Sequence, residues 1–460
     1  MSDHAERRAS LLARMEPGSV AFLATAPEAV RNGDSEYPYR HDSSFYYLTG
    51  FTEPESALVL VAAAGEQPAR SILFCREKNP EREIWDGLRH GPEAARTAFG
   101  VDEACPVGLL DEKMAEVLAG APSLYCRLAR DERLDGQLRR WFDAVRAKGR
   151  TGVAAPPALR DLALLVDEMR VVKDAGEQAL MLRAGRISAA AHRRAMRAAH
   201  AGVFEYELEA ELLYEFRRSG AQFPAYTPIV ASGANSCILH YNINDRQAQD
   251  DELVLIDAGC ELDGYASDIT RTFPVNGRFS APQQALYEIV LAAQSAAFDA
   301  IRPGNTFHAA HDAAVRVLAQ GMLDTGLLDA NRAGSLDDVI AAKAYTAFYM
   351  HGTSHWLGMD VHDTGAYRLT GHPDKPSRPL AEGMVLTVEP GIYVRPAQGV
   401  PEQYWNIGIR IEDDVVVADG APRLLTDEVP SSVADIERLM REGTGAPITR
   451  AGSMARRSTT

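Results

Sequence analysis

The sequence has no apolar run approaching the ~20 residues that a membrane span needs. It has little cysteine. Cys75, Cys105, Cys126, Cys237 and Cys260 are five in number, widely scattered and without CxxC spacing, which argues against a disulfide framework or a thiolate metal cluster. Each reads as a small buried hydrophobe in a reducing compartment. Positive charge is also short. Lys and Arg number 48 against 64 Asp and Glu, a net charge of -16, so no basic stripe is available for nucleic-acid phosphates. The opening stretch MSDHAERRASLLARM has charges where a secretory leader would have an apolar core, and a cytoplasmic protein is expected.

At 460 residues the chain exceeds the roughly 250–300 at which single cores stop growing, so two domains are expected. The first, residues 1–160, reads as α/β. An amphipathic helix covers 4–15, and strand-like runs follow at 18–26, 45–51 (FYYLTGF), 56–64, 70–75 and 124–129. Helical patterns lie near 91–99 and 132–147. The Gly- and Pro-bearing stretch 148–161 is the expected linker. The second domain, residues 161–442, reads as α+β. Long helices are expected at 174–201, 205–219, 281–302 and 306–326, and strands at 252–258, 265–273, 384–394 and 407–418 in a mostly antiparallel sheet. The tail, 443–460, has a disordered composition. No internal repeat is evident.

Carboxylates inside apolar strands are the main anomaly of the second domain. VLIDAGCELDGYASDITRTF (254–273) reads as a hairpin turning at Asp263-Gly264. A two-residue loop at 262–263 would set Asp257 opposite Asp268, and a Gly bulge would move this by one residue. GMVLTVEPGIYV (383–394) and NIGIRIEDDVVV (406–417) place Glu389 and Glu412 symmetrically about a longer loop. Gly408, Arg410 and Glu412 share one strand face. An isolated buried carboxylate costs several kcal/mol. Four together would repel and shift one another's pKa unless cations compensate. Arg410 offsets one charge, whereas two divalent cations offset four. Oxygen-rich sites of this kind suit Mn, Mg or Co.

HGTSHWLGMDVHDTG (351–365) holds three of the twelve histidines. His351 and His355 are four apart as in HExxH, but Gly352 stands where that motif needs its Glu, so a zincin helix is excluded. The glycines of this stretch argue for a loop or strand. His240, in SCILHYNIND (236–245), sits at an apolar-to-polar boundary suited to a cleft wall. Imidazoles in such company can ligate first-row metals or donate to a developing oxyanion.

The order Asp257, Asp268, His355, Glu389, Glu412 within these motifs strongly resembles the pita-bread metallopeptidases, most of all the aminopeptidase P (Xaa-Pro aminopeptidase) group. The catalytic-domain resemblance runs from about Arg170 to Met440. YRHDSSFYYLTGF (39–51) and EIWDGLRHGPEAA (83–95) extend it to the N-terminal domain. The resemblance implies an α/β N-terminal domain, serving assembly and the substrate cleft, followed by an α+β pita-bread catalytic domain. It implies two divalent ions, Mn2+ best fitting the donor set. Asp257 would bind one ion, Asp268 and Glu412 would bridge both, and His355 and Glu389 would bind the other. His240, His351 and His362 would line the substrate pocket, and Arg410 would support the ligands. A water shared by the ions would be deprotonated near neutral pH, with Glu389 as proton shuttle to the leaving prolyl nitrogen. The implied substrates are peptides with proline second, and the implied assembly is a homo-oligomer (dimer or tetramer) with Trp85 near a neighbouring subunit's active site.

Prolidase shares the fold and ligands but cuts Xaa-Pro dipeptides; EIWDGLRHGPEAA favours the aminopeptidase. Methionine aminopeptidase lacks a comparable N-terminal domain. Creatinase-like enzymes and metal-free pita-bread binding modules lack the five ligands present here.

Overall fold

The computed structural model describes residues 3–129 and 132–443. The chain divides into two compact units, one ending at Arg170 and the next beginning at Val171. The sequence tail from 444 onward lies outside the described residues.

The first unit is built on a six-stranded mixed sheet. Its strands lie in the order Glu103–Pro106, Arg70–Cys75, Ala57–Val61, Val20–Ala24, Ser123–Cys126 and Ala158–Asp161. The central strands VAFLA and ALVLV are buried along nearly their whole length. That continuous burial is the pattern of strands covered on both faces rather than one. Phe22, Val59, Phe74, Leu124 and Trp141 pack in this core, and Trp141 Nε1 donates to Asp111 Oδ1 at 2.6 Å.

Two expectations fail in this unit. FYYLTGF is not a strand. Ser43–Thr49 is a helix capped by Asp42, whose side chain accepts from Phe45 N, and it stops at Gly50 in the left-handed conformation. A capping carboxylate and a terminal glycine outweigh the β propensity of the aromatics. The expected linker also contains the strand Ala158–Asp161, which pairs in parallel with Ser123–Cys126. The 160/161 boundary therefore falls short of the observed one. Residues up to Arg170 are bound into the first unit: Tyr47 donates to Met169 O at 3.1 Å, and Arg170 donates to Ser44 Oγ at 2.9 Å.

The second unit packs helices Ala175–Ala198, Glu205–Arg218, Ala281–Ala300 and Phe307–Asp324 around small antiparallel sheets. Two helix starts are capping boxes, Asp174 with Glu177 and Ser280 with Gln283. Ile229–Ser232, Leu253–Asp257 and Thr270–Pro274 form one sheet. Val385–Val388 pairs with Asp413–Val416, and Gly391–Val394 pairs with Ile407–Arg410.

The three long strands expected at 265–273, 384–394 and 407–418 are each broken in the middle. Tyr265–Ala266 and Thr270–Pro274 are separated by 267–269, the Val385 and Gly391 strands by Glu389-Pro390, and the Ile407 and Asp413 strands by Ile411-Glu412. Asp268, Glu389 and Glu412 all lie in these breaks. The register on either side pairs Val388 with Asp413 and Gly391 with Arg410, so Glu389 stands opposite Glu412. In the other hairpin Asp257 pairs with Thr270, not with Asp268. The loop is Asp263-Gly264, with φ of 48° and 81°, flanked by the pair Leu262 and Tyr265. Positive φ at both positions is the type I′ turn. It moves the pairing by two residues, and an even shift leaves Asp268 on the face of Asp257.

Candidate metal centre

The two hairpins are sewn together at their breaks. Glu412 N donates to Thr270 O at 3.0 Å, and Thr270 Oγ1 donates to Glu412 Oε2 at 2.6 Å. Arg271, fully buried, donates to Glu412 O and pairs with Asp413 at 2.7 Å. Asp268 N donates to Asp414 Oδ2 at 3.0 Å. The three acids of EDD thus have separate surroundings: Asp413 answers Arg271, Asp414 fixes the backbone of Asp268, and Glu412 turns to the cavity.

The nine catalytic-domain residues named from the sequence line one cavity of about 630 Å³: His240, Asp257, Asp268, His351, His355, His362, Glu389, Arg410 and Glu412. Single ligand atoms of Asp268, His355 and Glu412 lie within 4.8 Å of one another, close enough to share an ion. Asp257 and Glu389 flank this group. His355 Nε2 is 3.5 Å from Asp268 Oδ2 and 3.7 Å from Glu389 Oε1. Its Nδ1 lies 3.0 Å from Trp356 O; as that carbonyl can only accept, Nδ1 carries the proton and Nε2 faces the carboxylates. Residues 351–365 form a loop, as their glycines suggest.

The electrostatics reveal an excess of negative charge. Burial raises the Asp268 carboxyl, and neighbouring Asp257 adds to the rise. Burial also lifts Glu389 to about 7 and Glu412 well above the usual carboxylate range. Burial alone would lower His355, but Asp268 and Glu389 outweigh it and bring the imidazole to about 9. One guanidinium faces the group: Arg410 Nη2 lies 2.6 Å from Asp257 Oδ2. Tyr226 OH lies 2.5 Å from both Asp257 Oδ1 and Asp268 Oδ1. A single phenolic proton cannot be donated to both carboxylates at once, so one of the pair must bring its own proton or answer to a cation. Four carboxylates and the Nε2 of His355, once a cation displaces its proton, fit hard divalent cations well.

The histidines differ in their bonding. His351 Nδ1 lies 2.7 Å from Gly352 O and therefore carries the proton. Its Nε2 accepts from Tyr393 OH at 2.8 Å, and Tyr393 in turn accepts from Arg410 Nη1 at 3.0 Å. Burial first, then Arg410, brings His351 down to about 3, so the ring is neutral. His362 packs 4.2 Å from the His355 ring, centroid to centroid, and makes no hydrogen bond among the described residues. His240 is exposed on the cavity wall.

Sequence reasoning missed Tyr226 and Tyr393. Tyr393 had a signal, since it shares strand parity with Glu389 in EPGIYV. Tyr226, between Pro224 and Pro228, had none. The buried pair Lys173–Asp363, at 2.9 Å, was also missed; it anchors the loop carrying His362.

Comparison with known proteins identifies the family. Residues 179–419 match Metallopeptidase family M24, and residues 4–125 match the N-terminal domain of aminopeptidase P. The chain is 44% identical over 434 residues to a Xaa-Pro aminopeptidase of Escherichia coli, covering 94% of this chain and 96% of that protein. It is similar to the solved aminopeptidase PepP of Pseudomonas aeruginosa, with 48% identity, a TM-score of 0.93 and coverage of 97% and 99%. It is also similar to an Escherichia coli aminopeptidase P in complex with substrate, with 43% identity, a TM-score of 0.91 and coverage of 96% and 98%.

Proposed function

The chain belongs to metallopeptidase family M24, and from that membership and the site we infer that it is an Xaa-Pro aminopeptidase, a metallo-exopeptidase that removes the N-terminal residue from peptides with proline second. The observation that carries the reading is the convergence of Asp257, Asp268, His355, Glu389 and Glu412 on one cavity.

Those five residues would hold two divalent ions. The oxygen-rich set favours Mn2+. Bound at such a site, divalent cations supply Lewis acidity and lower the pKa of water toward neutrality. The protein's own groups do the rest. Glu389 carries a proton toward the leaving nitrogen, which as the tertiary amide nitrogen of proline must be protonated to depart. His362 donates from its ring to the oxygen on which charge develops. Arg410 holds Asp257 and, through Tyr393, fixes the tautomer of His351. His240 and His351 line the substrate side.

The first unit is assigned to assembly into a homo-oligomer. Its Pro80–Asp86 helix and the residues after it expose Ile84, Trp85 and Leu88 by 81%, 83% and 85%. Adjacent exposed apolar side chains of this size favour an interface, which here is assigned to a second copy of the chain. A cytoplasmic location is supported by five free, buried cysteines. No helix among the described residues is long and apolar enough to cross a membrane.

The test is hydrolysis of Xaa-Pro dipeptides against Xaa-Pro-Xaa peptides with added Mn2+. The extended peptides are expected to be cut with the higher kcat/KM. A dipeptide preferred by about tenfold, or 1.4 kcal/mol in transition-state binding, makes the enzyme a prolidase instead.

A further inference from the structure

Part of the cavity wall is the segment 233–245, a short 3-10 helix at Gly233–Cys237 followed by irregular chain, which contributes Leu239, His240 and Asn242. Such a segment cannot hold its own shape without partners for its backbone. One buried side chain ties its two ends and two of its side chains together. Glu205, the first residue of the helix Glu205–Arg218, is 0% exposed and accepts five hydrogen bonds. Its Oε1 takes Ser232 N at 2.7 Å, Ser232 Oγ at 2.8 Å and Asn235 Nδ2 at 3.1 Å. Its Oε2 takes Tyr241 OH at 2.8 Å and Arg246 N at 3.0 Å. The segment thus leaves at Ser232 and returns at Arg246, and the Glu205 carboxylate bonds both ends and its Asn235 and Tyr241 side chains. Tyr241, buried, adjoins His240 in the chain. The Arg246 guanidinium grips Glu252 with both nitrogens at 2.6 Å and also donates from Nη1 to Ser232 Oγ at 2.8 Å, reinforcing the closure at Ser232. Glu205 does not line the cavity, and none of its five bonds reaches a proposed metal ligand.

We propose that Glu205 is a positioning residue for catalysis, acting through Tyr241 to hold His240 and the substrate-side wall in place. The proposal rests on the substrate-side assignment of His240. A carboxylate is needed because both oxygens accept from more than one donor. An amide would turn an NH2 group toward either Ser232 and Asn235 or Tyr241 and Arg246.

The experiment uses the Mn2+-loaded enzyme and an Xaa-Pro-Xaa peptide. Glu205→Gln, Tyr241→Phe, His240→Ala and the double variant Tyr241→Phe/His240→Ala are compared in kcat, KM, metal content and Tm. Tyr241→Phe removes the hydroxyl, with its 2.8 Å bond to Glu205 and its longer 3.5 Å contact with Asp245, and keeps the ring, so it reports even if Glu205→Gln does not fold. Its kcat/KM is expected to fall about tenfold with full metal content, and the double variant should be no slower than His240→Ala alone. Additive losses, or a Tyr241→Phe enzyme with unchanged kcat/KM, overturn the role of Glu205. A His240→Ala enzyme with full kcat/KM overturns the substrate-side assignment itself.

Discussion

His355 and His362 pack ring against ring, tilted by 51°, within one loop, yet removing each should have opposite consequences for the metal. His355 faces two carboxylates, at 3.5 and 3.7 Å, and is assigned as a ligand. His355→Ala should lose metal and activity together. His362 makes no hydrogen bond among the described residues, so truncating it leaves no buried partner unpaired. Its cost in stability should stay near about 0.5 kcal/mol. Burial first, then His355 and His240, lowers its pKa, so at neutral pH the ring is a neutral imidazole with one N–H to donate. Loss of one oxyanion donor typically lowers kcat on the order of 10²–10³, or about 2.7–4 kcal/mol. His362→Ala should therefore keep its metal and nearly its Tm while kcat collapses. Metal content, Tm and kcat are measured on both variants. A His362→Ala protein stripped of metal beside a His355→Ala protein that retains it would reverse the ligand assignment. A drop in Tm with little change in rate would make His362 a packing residue.

Some of this was legible in the sequence because it is local. Capping pairs such as Asp174 with Glu177 and Ser280 with Gln283 announce helix starts within four residues. The helix expected at 132–147 is observed as Glu132–Ala147. FYYLTGF failed because its deciding residues, Asp42 and Gly50, lie at the ends of an apolar run whose periodicity is ambiguous. The carboxylates stood out because acids in apolar strands need compensation. The shape that makes them converge did not, because hydrophobic alternation continues through 268, 389 and 411 while the backbone leaves the ladder. Those breaks are set by bonds between distant segments, such as Glu412 N to Thr270 O, which no window of sequence contains. Tyr226 is the extreme case, reaching Asp257 and Asp268 across 31 and 42 residues.

Further expectations concern backbone, assembly and charge. Gly259→Ala should cost at least about 3 kcal/mol by denaturant unfolding, because its Cβ would lie 1.7 Å from Ser267 O beside the proposed ligands; a variant of normal stability refutes the close approach. Light scattering at micromolar concentration should show an oligomer, and Trp85→Ser with Ile84→Ser should shrink it; a monomeric native protein ends that reading. Metal-stripped enzyme should be inactive and recover with Mn2+, and its stability should depend on pH in a definite direction. In the metal-free protein the Asp268, Glu389 and Glu412 carboxyls lie above their ordinary values, chiefly through burial. The folded state therefore binds their protons more tightly than the unfolded chain, whose carboxylates titrate near about 4. Their contribution is fully present below that pH and is lost as pH rises through the folded values, about 7 for Glu389. His355, held up to about 9 against burial by Asp268 and Glu389, has the same sign, its contribution being lost as pH climbs through 9. This cluster thus lowers the metal-free Tm steadily from pH 5 to 9. Mn2+ replaces those protons with a charge that needs the deprotonated ligands. The gap in Tm between Mn2+-loaded and chelator-treated protein should widen with pH across that range, and a gap that narrows refutes the assignment of these carboxylates and His355 to the metal.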